Sequence, residues 1–156
     1  VATPYAHKDA GLQALPPVGY PDWPAGLLRS SPHDFARFLA IFSNGGRAGG
    51  HRYLQEATLQ LCFAPQEASL PPAELAARQA LAWVLRDVDG SALATLHGND
   101  PGAASLVCID RASRTAVLAF ANVSADKEFR TFQKEVVRRL LARGGSGVPA
   151  KQAPLV

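Results

Sequence analysis

Four short apolar runs follow one another in the second half of the chain, and turn-forming residues separate them. The runs are ALAWVLRDV (80–88), SALATLH (91–97), ASLVCID (104–110) and TAVLAFANV (115–123). The pattern of apolar residues in these runs has a period of two and not the 3.6 of a helix, which is typical of β-strands. Connections this short join antiparallel neighbours, so the sequence predicts an antiparallel sheet. The last two runs are apolar on both faces, which predicts a sheet covered on both sides.

The connections between these runs carry residues that favour turns. The three connections contain Asp89-Gly90, Asn99-Asp100-Pro101-Gly102 and the stretch 110–114. Asn, Asp and Gly tolerate the backbone angles that tight turns need, and Pro fixes one of those angles in advance. We therefore expect the second run to end near His97 and a four-residue turn to follow it.

A helix is predicted ahead of the strands by the stretch RSSPHDFARFLAIFSNGG (29–46). Ser31 can accept hydrogen bonds from the first free backbone N–H groups, and Pro32 suits the first helical position. Four apolar residues then recur at helical spacing and predict one buried face: Phe35, Phe38, Leu39 and Phe42. Asn44-Gly45-Gly46 supplies the end of the helix.

Further helices complete the predicted order of elements. YLQEATLQLCFAP predicts a short helix that begins near Gln55 and ends before Pro65, and LPPAELAARQA (70–80) predicts one or two helical turns. DKEFRTFQKEVVRRLLARGG (126–145) predicts a longer amphipathic helix. N-terminal helices, antiparallel strands and a terminal helix in this order predict an α+β fold, with the last helix packed on the sheet.

Proline and glycine divide the chain into three predicted regions. Residues 1–30 are expected to form an extended Pro/Gly-rich loop region, residues 31–143 the helices and strands of one domain, and residues 144–156 a flexible tail. The chain contains no methionine, even at position 1. We therefore expect it to be a processed or excised piece of a longer protein.

Composition argues against several classes of function. The formal net charge is +3, and the basic residues are scattered, with no run longer than Arg138-Arg139. This pattern argues against nucleic-acid and membrane-surface binding. No apolar run approaches the roughly 20 residues that a membrane-spanning helix needs. Cys62 and Cys108 lie in apolar surroundings without a histidine at ligand spacing, so we expect buried free thiols and neither a metal nor another cofactor.

Two long stretches resemble one enzyme family. YPDWPAGLLRSSPHDFARFLAIFSNGG (20–46) resembles the Pro-Ala-Gly-Gly-Leu, Ser-Ser, Asp-Leu-Ala-Arg-Phe-Leu segment of serine β-lactamase-like hydrolases, which include class C β-lactamases, DD-peptidases and esterases. LHGNDPGAASLVCIDRASRTAVLAFANVS (96–124) resembles the His-x-Gly turn, the Asp-Pro-Gly and the two core strands of that family. The resemblance covers residues 1 to about 143. It implies part of a β-lactamase/transpeptidase-like fold, and acyl transfer to water through a serine ester.

The resemblance assigns roles to four consecutive residues. His97-Gly98-Asn99 occupies the place of the family's third motif, on an edge strand that lines the cleft. The implied catalytic residues are His97, a polar or proton-shuttling group, and Asp100, whose N–H is the second oxyanion donor. The implied substrate-binding residues are Gly98, which permits close approach, and Asn99. Asn99 stands where the family usually has glycine, so its side chain is expected to crowd the cleft. From the residue alone, His97 can also be a strand-end histidine hydrogen-bonded to a turn.

The family's nucleophile motif has no good counterpart in these 156 residues. Ser-x-x-Lys occurs once, as Ser124-Ala125-Asp126-Lys127, after the last strand and away from the family's position for it. Tyr-x-Asn is absent, and Ser105 lacks an elbow motif such as Gly-x-Ser-x-Gly. The chain is therefore interpreted as the C-terminal portion of a serine hydrolase that is inactive alone. The alternative is a non-catalytic binding or interaction domain on the same scaffold.

Both interpretations make predictions about partners. The intact parent is expected to act on a small acyl substrate, which is a β-lactam, a peptide or an ester, and the family favours a periplasmic or extracellular location. Strands missing from the fold leave a sheet edge open, and an open edge pairs readily with another strand. The expected occupants are an N-terminal complementing segment or a second copy of the chain.

Overall fold

A computed structural model describes residues 2–9, 11–17, 19, 26, 28–66, 78–88 and 90–144. The helices are α1 (Pro32–Ser43), α2 (Glu56–Phe63) and α3 (Lys127–Gly144). The strands are β1 (Tyr5–Lys8), β2 (Gly11–Ala14), β3 (Arg47–Ala48), β4 (His51–Arg52), β5 (Arg78–Gln79), β6 (Val84–Val88), β7 (Ser91–Asp100), β8 (Ala103–Asp110) and β9 (Thr115–Ala121). The helical turns predicted within 70–80 and the tail beyond Gly144 lie almost wholly outside the described residues.

The antiparallel sheet is confirmed. Five strands pair in the order β5-β6-β7-β8-β9, and every pairing is antiparallel. The four runs seen in the sequence correspond to β6, β7, β8 and β9. Together with the helices, this arrangement confirms the predicted α+β class.

The predicted end of β7 at His97 was wrong by three residues. β7 continues to Asp100, which pairs with Ala103 across a two-residue turn made by Pro101 and Gly102. Gly102 has a φ of +74°, a value that glycine adopts without a steric penalty, and Pro at the preceding position pre-sets the other turn angle. Because the turn needs only these two residues, Asn99 and Asp100 remain in the strand.

Helices cover both faces of the sheet, as the two-sided apolar strands predicted. On one face, α1 and α2 contribute Leu39, Leu59 and Phe63 to a core with Trp83 and Ile109. On the other face, a second core joins α3 to the sheet through four buried residues: Leu106, Cys108, Val117 and Val137. α3 therefore packs on the sheet at the position predicted for the terminal helix.

The predicted start of α1 is confirmed by its capping contacts. The Ser31 hydroxyl accepts a hydrogen bond from the Asp34 N–H at 3.1 Å and donates one to the Asp34 carboxylate at 2.7 Å. Pro32 occupies the first turn, where its missing N–H leaves no hydrogen bond unmade. The helix ends at Ser43, and Gly45 and Gly46 follow with positive φ angles.

The first thirty residues are not all loop, because β1 and β2 form a hairpin. Gly11, with a φ of +108°, opens β2 after the turn. β1 is tied to the segment that follows β9: Tyr5 N–H donates to Asn122 O at 2.9 Å, and Ser124 N–H donates to Tyr5 O at 2.9 Å. These bonds bring the hairpin to the end of the sheet that holds the Pro101-Gly102 turn.

Candidate functional site

The last four residues of β7, His97–Asp100, form a strand edge that only one neighbour covers. β6 pairs with β7 from Ser91 to Thr95 and ends there, whereas β8 pairs with it up to Asp100. Within the described residues, the side of this segment that faces away from β8 has no strand partner. We call residues 97–100 the free β7 edge. The edge strand that the resemblance implied is thus confined to this end of β7, since the rest of the strand is internal.

The pairing register determines which backbone groups point outward from the free β7 edge. Residues that flank a two-residue hairpin turn exchange both backbone hydrogen bonds, and such pairs alternate along the ladder. Asp100 flanks the turn, so the backbone groups of Asp100 and Gly98 point to β8. The N–H groups of His97 and Asn99 therefore point away from the sheet. By the same register, the Asp100 N–H, which was predicted to be an oxyanion donor, points to β8.

Side chains along this segment alternate between the two faces of the sheet. His97 lies opposite Leu106, which belongs to the core under α3, so His97 and Asn99 face the α3 side. Gly98 lies opposite Ser105, and Ser105 lies opposite Phe120, whose ring contacts Phe35 of α1. Gly98 and Asp100 therefore face the α1 side.

The His97 imidazole lies among positive charges. Loss of solvent around the ring lowers the pKa of His97 below its ordinary value of 6.5, and the charges of Arg86, Lys134 and Arg130 lower the pKa further. The ring is therefore neutral at neutral pH and keeps one nitrogen as a hydrogen-bond acceptor. Among the described residues, no hydrogen bond reaches the imidazole, so the alternative of a turn-bonded histidine has no contact to support it there.

Ser105 occupies the space that a side chain at position 98 would need. A Cβ atom at this position would collide with the Ser105 hydroxyl oxygen across the strand pair. Gly98 is nevertheless exposed to solvent. The predicted role of Gly98 in close approach is compatible with this geometry. The sequence analysis did not predict Ser105 as a neighbour of Gly98. A two-residue turn at Pro101-Gly102 would have predicted it, because residues at equal distances from such a turn lie opposite each other.

The Asn99 side chain lies against the loop that precedes α3. Its Oδ1 accepts a hydrogen bond from the Ala125 N–H at 2.9 Å. Next to it, the Ser124 hydroxyl accepts a hydrogen bond from the Gly102 N–H at 2.7 Å. The side chain expected to crowd the cleft is thus held on the α3 side. Ser124, the serine of the Ser-x-x-Lys string, has a structural contact with the β7–β8 turn.

Gly102 joins the turn to the N-terminal segment. A Cβ atom at Gly102 would lie 2.9 Å from Pro4 Cα and 3.0 Å from Tyr5 N. On the α1 side, a Cβ atom at Gly26 would lie 3.5 Å from an Asp100 carboxylate oxygen, which shows where that side chain points. The Pro101-Gly102 turn, which follows the four predicted site residues, therefore packs against the segments that precede β1 and α3.

A groove along α3 lies near the free β7 edge and carries positive charge. Lys127, Arg130, Thr131 and Lys134 line it on one face of the helix, with Asp126 at its start. The described residues contain no group of three or more metal-ligating side chains. In the same part of the chain, no helix is long and apolar enough to span a membrane.

The lowered pKa of His97 predicts a specific pH response. Below pH 6.5 the unfolded chain takes up a proton at this residue more readily than the folded chain does, so folded stability falls as the pH falls from 6.5 through the folded pKa. In an NMR titration of the His97 ring proton, we expect a midpoint below 6.5, and we expect Arg86→Gln to raise it. Arg47→Gln on β3 is the matched control and should leave the midpoint in place. A midpoint at or above 6.5 would contradict this description of the site.

Comparisons with known proteins agree with the resemblance seen in the sequence. A model of the beta-lactamase family matches residues 1–142. Two similar solved structures are a penicillin binding protein from Bacillus halodurans and a D-stereospecific amidohydrolase from Streptomyces sp.. The first has a TM-score of 0.56 and 16% identity over 87% of this chain, and the second 0.55 and 16% over 82%.

The chain is shorter than these two proteins. It spans 40% of the penicillin binding protein and 37% of the amidohydrolase. A search of curated proteins found no match. Identities of 16% establish a shared fold, and the family match extends over nearly all of the sequence. The chain therefore belongs to the beta-lactamase family.

Proposed function

We propose that these residues build one wall of an acyl-transfer site, and that the reacting serine is supplied by another polypeptide segment. The observation that carries the proposal is the free β7 edge, where two backbone N–H groups point outward beside a glycine. A rigid strand edge holds such donors in fixed positions, which is what a developing oxyanion needs.

The proposed chemistry assigns one step to each group. A serine hydroxyl attacks the substrate carbonyl, and its proton passes to a base while the carbonyl oxygen becomes negative. The Asn99 N–H and the nucleophile's own N–H would hold that oxygen. His97, neutral at pH 7, would face the substrate as a hydrogen-bond acceptor or a proton carrier. The intermediate then expels the amine or alcohol of the substrate, which takes the proton from the base, and water hydrolyses the remaining serine ester to a carboxylic acid and restores the serine.

The serines of the described site lack the contacts of an activated nucleophile. The Ser124 hydroxyl accepts a hydrogen bond from the Gly102 N–H, and its neighbour Ala125 is bonded to Asn99. Ser105 lies over Gly98, with no imidazole, lysine or carboxylate hydrogen-bonded to it among the described residues. Since a serine needs an adjacent base to react, neither supports catalysis by the chain alone.

The charges around the site favour an anionic substrate. Arg86, Arg130 and Lys134 all lie near His97, and the α3 groove adds Lys127. A small acyl compound with a carboxylate would offset this clustered positive charge. The names of the two similar proteins, one a penicillin binding protein and one an amidohydrolase, support an amide-type or β-lactam-type acyl donor.

Incubation of the purified chain with nitrocefin and with p-nitrophenyl acetate tests the proposal. We expect no hydrolysis above the rate in buffer, because neither Ser105 nor Ser124 has a base hydrogen-bonded to it among the described residues. Addition of a polypeptide that carries Ser-x-x-Lys and completes the fold should start turnover. Hydrolysis by the chain alone that Ser124→Ala or Ser105→Ala abolishes would contradict the proposal.

One observation favours a second candidate function, that of a non-catalytic interaction domain. β9 ends the sheet, and no strand pairs with its outer side within the described residues. Such an edge suits the binding of another strand whether or not the β7 edge takes part in catalysis. Failure of every complementing polypeptide to produce turnover, with intact binding to a strand-bearing partner, would favour this candidate.

A further inference from the structure

Asp100 carries a carboxylate at the end of the free β7 edge, on the α1 side of the sheet. Its side chain lies on the same face as Gly98, two residues earlier in the strand. Asp100 is partly buried, and among the described residues no hydrogen bond or ion pair reaches its carboxylate. The acyl-transfer steps proposed above involve its backbone neighbours and leave this charge unmatched.

The residues beside the carboxylate have small side chains or none. A Cβ atom at Gly26 would lie 3.5 Å from a carboxylate oxygen of Asp100. Ala103 lies opposite Asp100 across the turn, and both Ala103 and Gly98 are exposed to solvent. A ligand group at the free β7 edge can therefore approach the carboxylate from solvent.

Ser105 supplies a second acceptor on the same face. Its hydroxyl oxygen lies against Gly98 and makes no hydrogen bond to the described residues. Because Ser105 is two residues beyond Ala103, it is the diagonal neighbour of Asp100, and such neighbours lie roughly 7–8 Å apart. One group placed between them can reach both, since each hydrogen bond spans about 2.9 Å. We call Asp100 and Ser105 the acceptor pair.

An ammonium group matches the chemistry of the acceptor pair. Carboxylate and hydroxyl oxygens accept hydrogen bonds, and an ammonium carries three donors and one positive charge. The hydrogen bond to a carboxylate is charge-assisted, which makes it shorter and stronger than a neutral one. Partial burial of Asp100 also reduces the screening of its charge by salt.

The two faces of the free β7 edge carry opposite charges. The α3 side holds the basic residues that surround His97, which are Arg86, Arg130 and Lys134. The α1 side holds Asp100, so the outward Asn99 N–H lies between a region that attracts anions and a group that attracts cations. A substrate bound through this N–H is oriented if it carries one charge of each sign, because the reversed orientation brings like charges together on both faces.

We propose that the acceptor pair binds an ammonium group on the acyl side of the substrate, next to the scissile carbonyl. The inference rests on the proposed function and narrows its substrate class to acyl donors with an amine on the α1 side and a carboxylate on the α3 side. An unblocked dipeptide has these two charges on opposite sides of its amide bond. Asp100 selects the substrate in this account and takes no part in the bond changes.

NMR titration of the 156-residue chain tests the ammonium site without any need for catalysis. Alaninamide is the probe, and N-acetylalaninamide, whose nitrogen is blocked and uncharged, is the matched ligand. We expect alaninamide to shift the amide signals of Gly98 and Asn99, and to bind about 5-fold more tightly than the blocked compound. Asp100→Asn, which keeps the shape of the side chain, should abolish this preference. Ser105→Ala should reduce the preference and serves as the second variant if Asp100→Asn fails to fold.

Asp87→Asn is the matched control for the loss of charge. It removes one carboxylate at the other end of β7, and its side-chain oxygen can still accept the hydrogen bond from Gly90 N–H. The preference for alaninamide should remain in this variant. Equal binding of the two ligands by the unaltered chain, or a preference that survives both Asp100→Asn and Ser105→Ala, would overturn the inference.

Kinetics in the assembly with the serine-bearing polypeptide separate this inference from the proposed function. We expect alanine p-nitroanilide to be hydrolysed with a higher kcat/KM than its N-acetyl derivative, and Asp100→Asn to remove the difference. Equal kcat/KM for the two compounds would contradict the ammonium site alone. An assembly that hydrolyses no acyl donor would contradict the proposed function, whatever the titration of the chain shows.

Discussion

Replacing Trp83 with alanine should lower the free energy of unfolding by about 3–5 kcal/mol. Trp83 is 2% exposed, and its ring packs against Phe42 and Phe63 with centroids 5.3 Å and 5.8 Å away. The substitution removes the ring that joins α1, α2 and the sheet, and neighbours fixed by three elements cannot close the cavity. Urea unfolding followed by circular dichroism, at one fixed protein concentration, measures the loss.

Trp83→Phe is the matched control for that experiment. The indole N–H of Trp83 is buried without a hydrogen-bond acceptor among the described residues, so phenylalanine removes an unsatisfied donor while it keeps most of the packing. We expect a clearly smaller loss than for alanine. A loss of less than about 1 kcal/mol for Trp83→Ala would mean that this core does not hold the sheet and helices together.

Replacing Asn99 with proline should reduce hydrolysis by about 100- to 1000-fold in the active assembly of this chain with the serine-bearing polypeptide. Proline removes the outward N–H of residue 99 but no hydrogen bond to β8, because that N–H points away from β8. The loss should appear in kcat, since the oxyanion exists only during the reaction.

Asn99→Ala separates the backbone donor from the side chain. It keeps the N–H and removes only the hydrogen bond from Ala125 N–H to the side-chain oxygen. We expect it to retain most of the activity of the unaltered assembly. Equal losses for proline and alanine would show that the side chain, and not the N–H, carries the effect of Asn99.

The sheet could be predicted because the residue patterns that determine it lie within short stretches of the sequence. The apolar, strand-like runs of β6 to β9 and the short connections between them were enough to predict strand type, order and antiparallel pairing. The end of β7 was not, because Asn99 and Asp100 favour turns by residue type whereas the actual turn needs only Pro101 and Gly102. The conformation of that turn, rather than the average preference of Asn and Asp, decides where the strand stops.

The resemblance could select the residues of the candidate site but not their arrangement. The motif resemblance selected residues 97–100, and the structure places them together on one strand. Which N–H points outward depends on the register with β8, which a motif does not contain. The contact of Asn99 with Ala125 joins residues 26 positions apart, and no local pattern in either segment signals it.

Intact-mass spectrometry after incubation with a penicillin and with an activated ester tests the central claim most directly, because a serine ester adds the mass of the acyl group to the polypeptide that reacts. We predict that the 156-residue chain keeps its own mass, alone and in the active assembly, and that the adduct forms on the serine-bearing polypeptide. A stoichiometric acyl adduct on a serine of this chain, lost on mutation of that serine, would contradict the account.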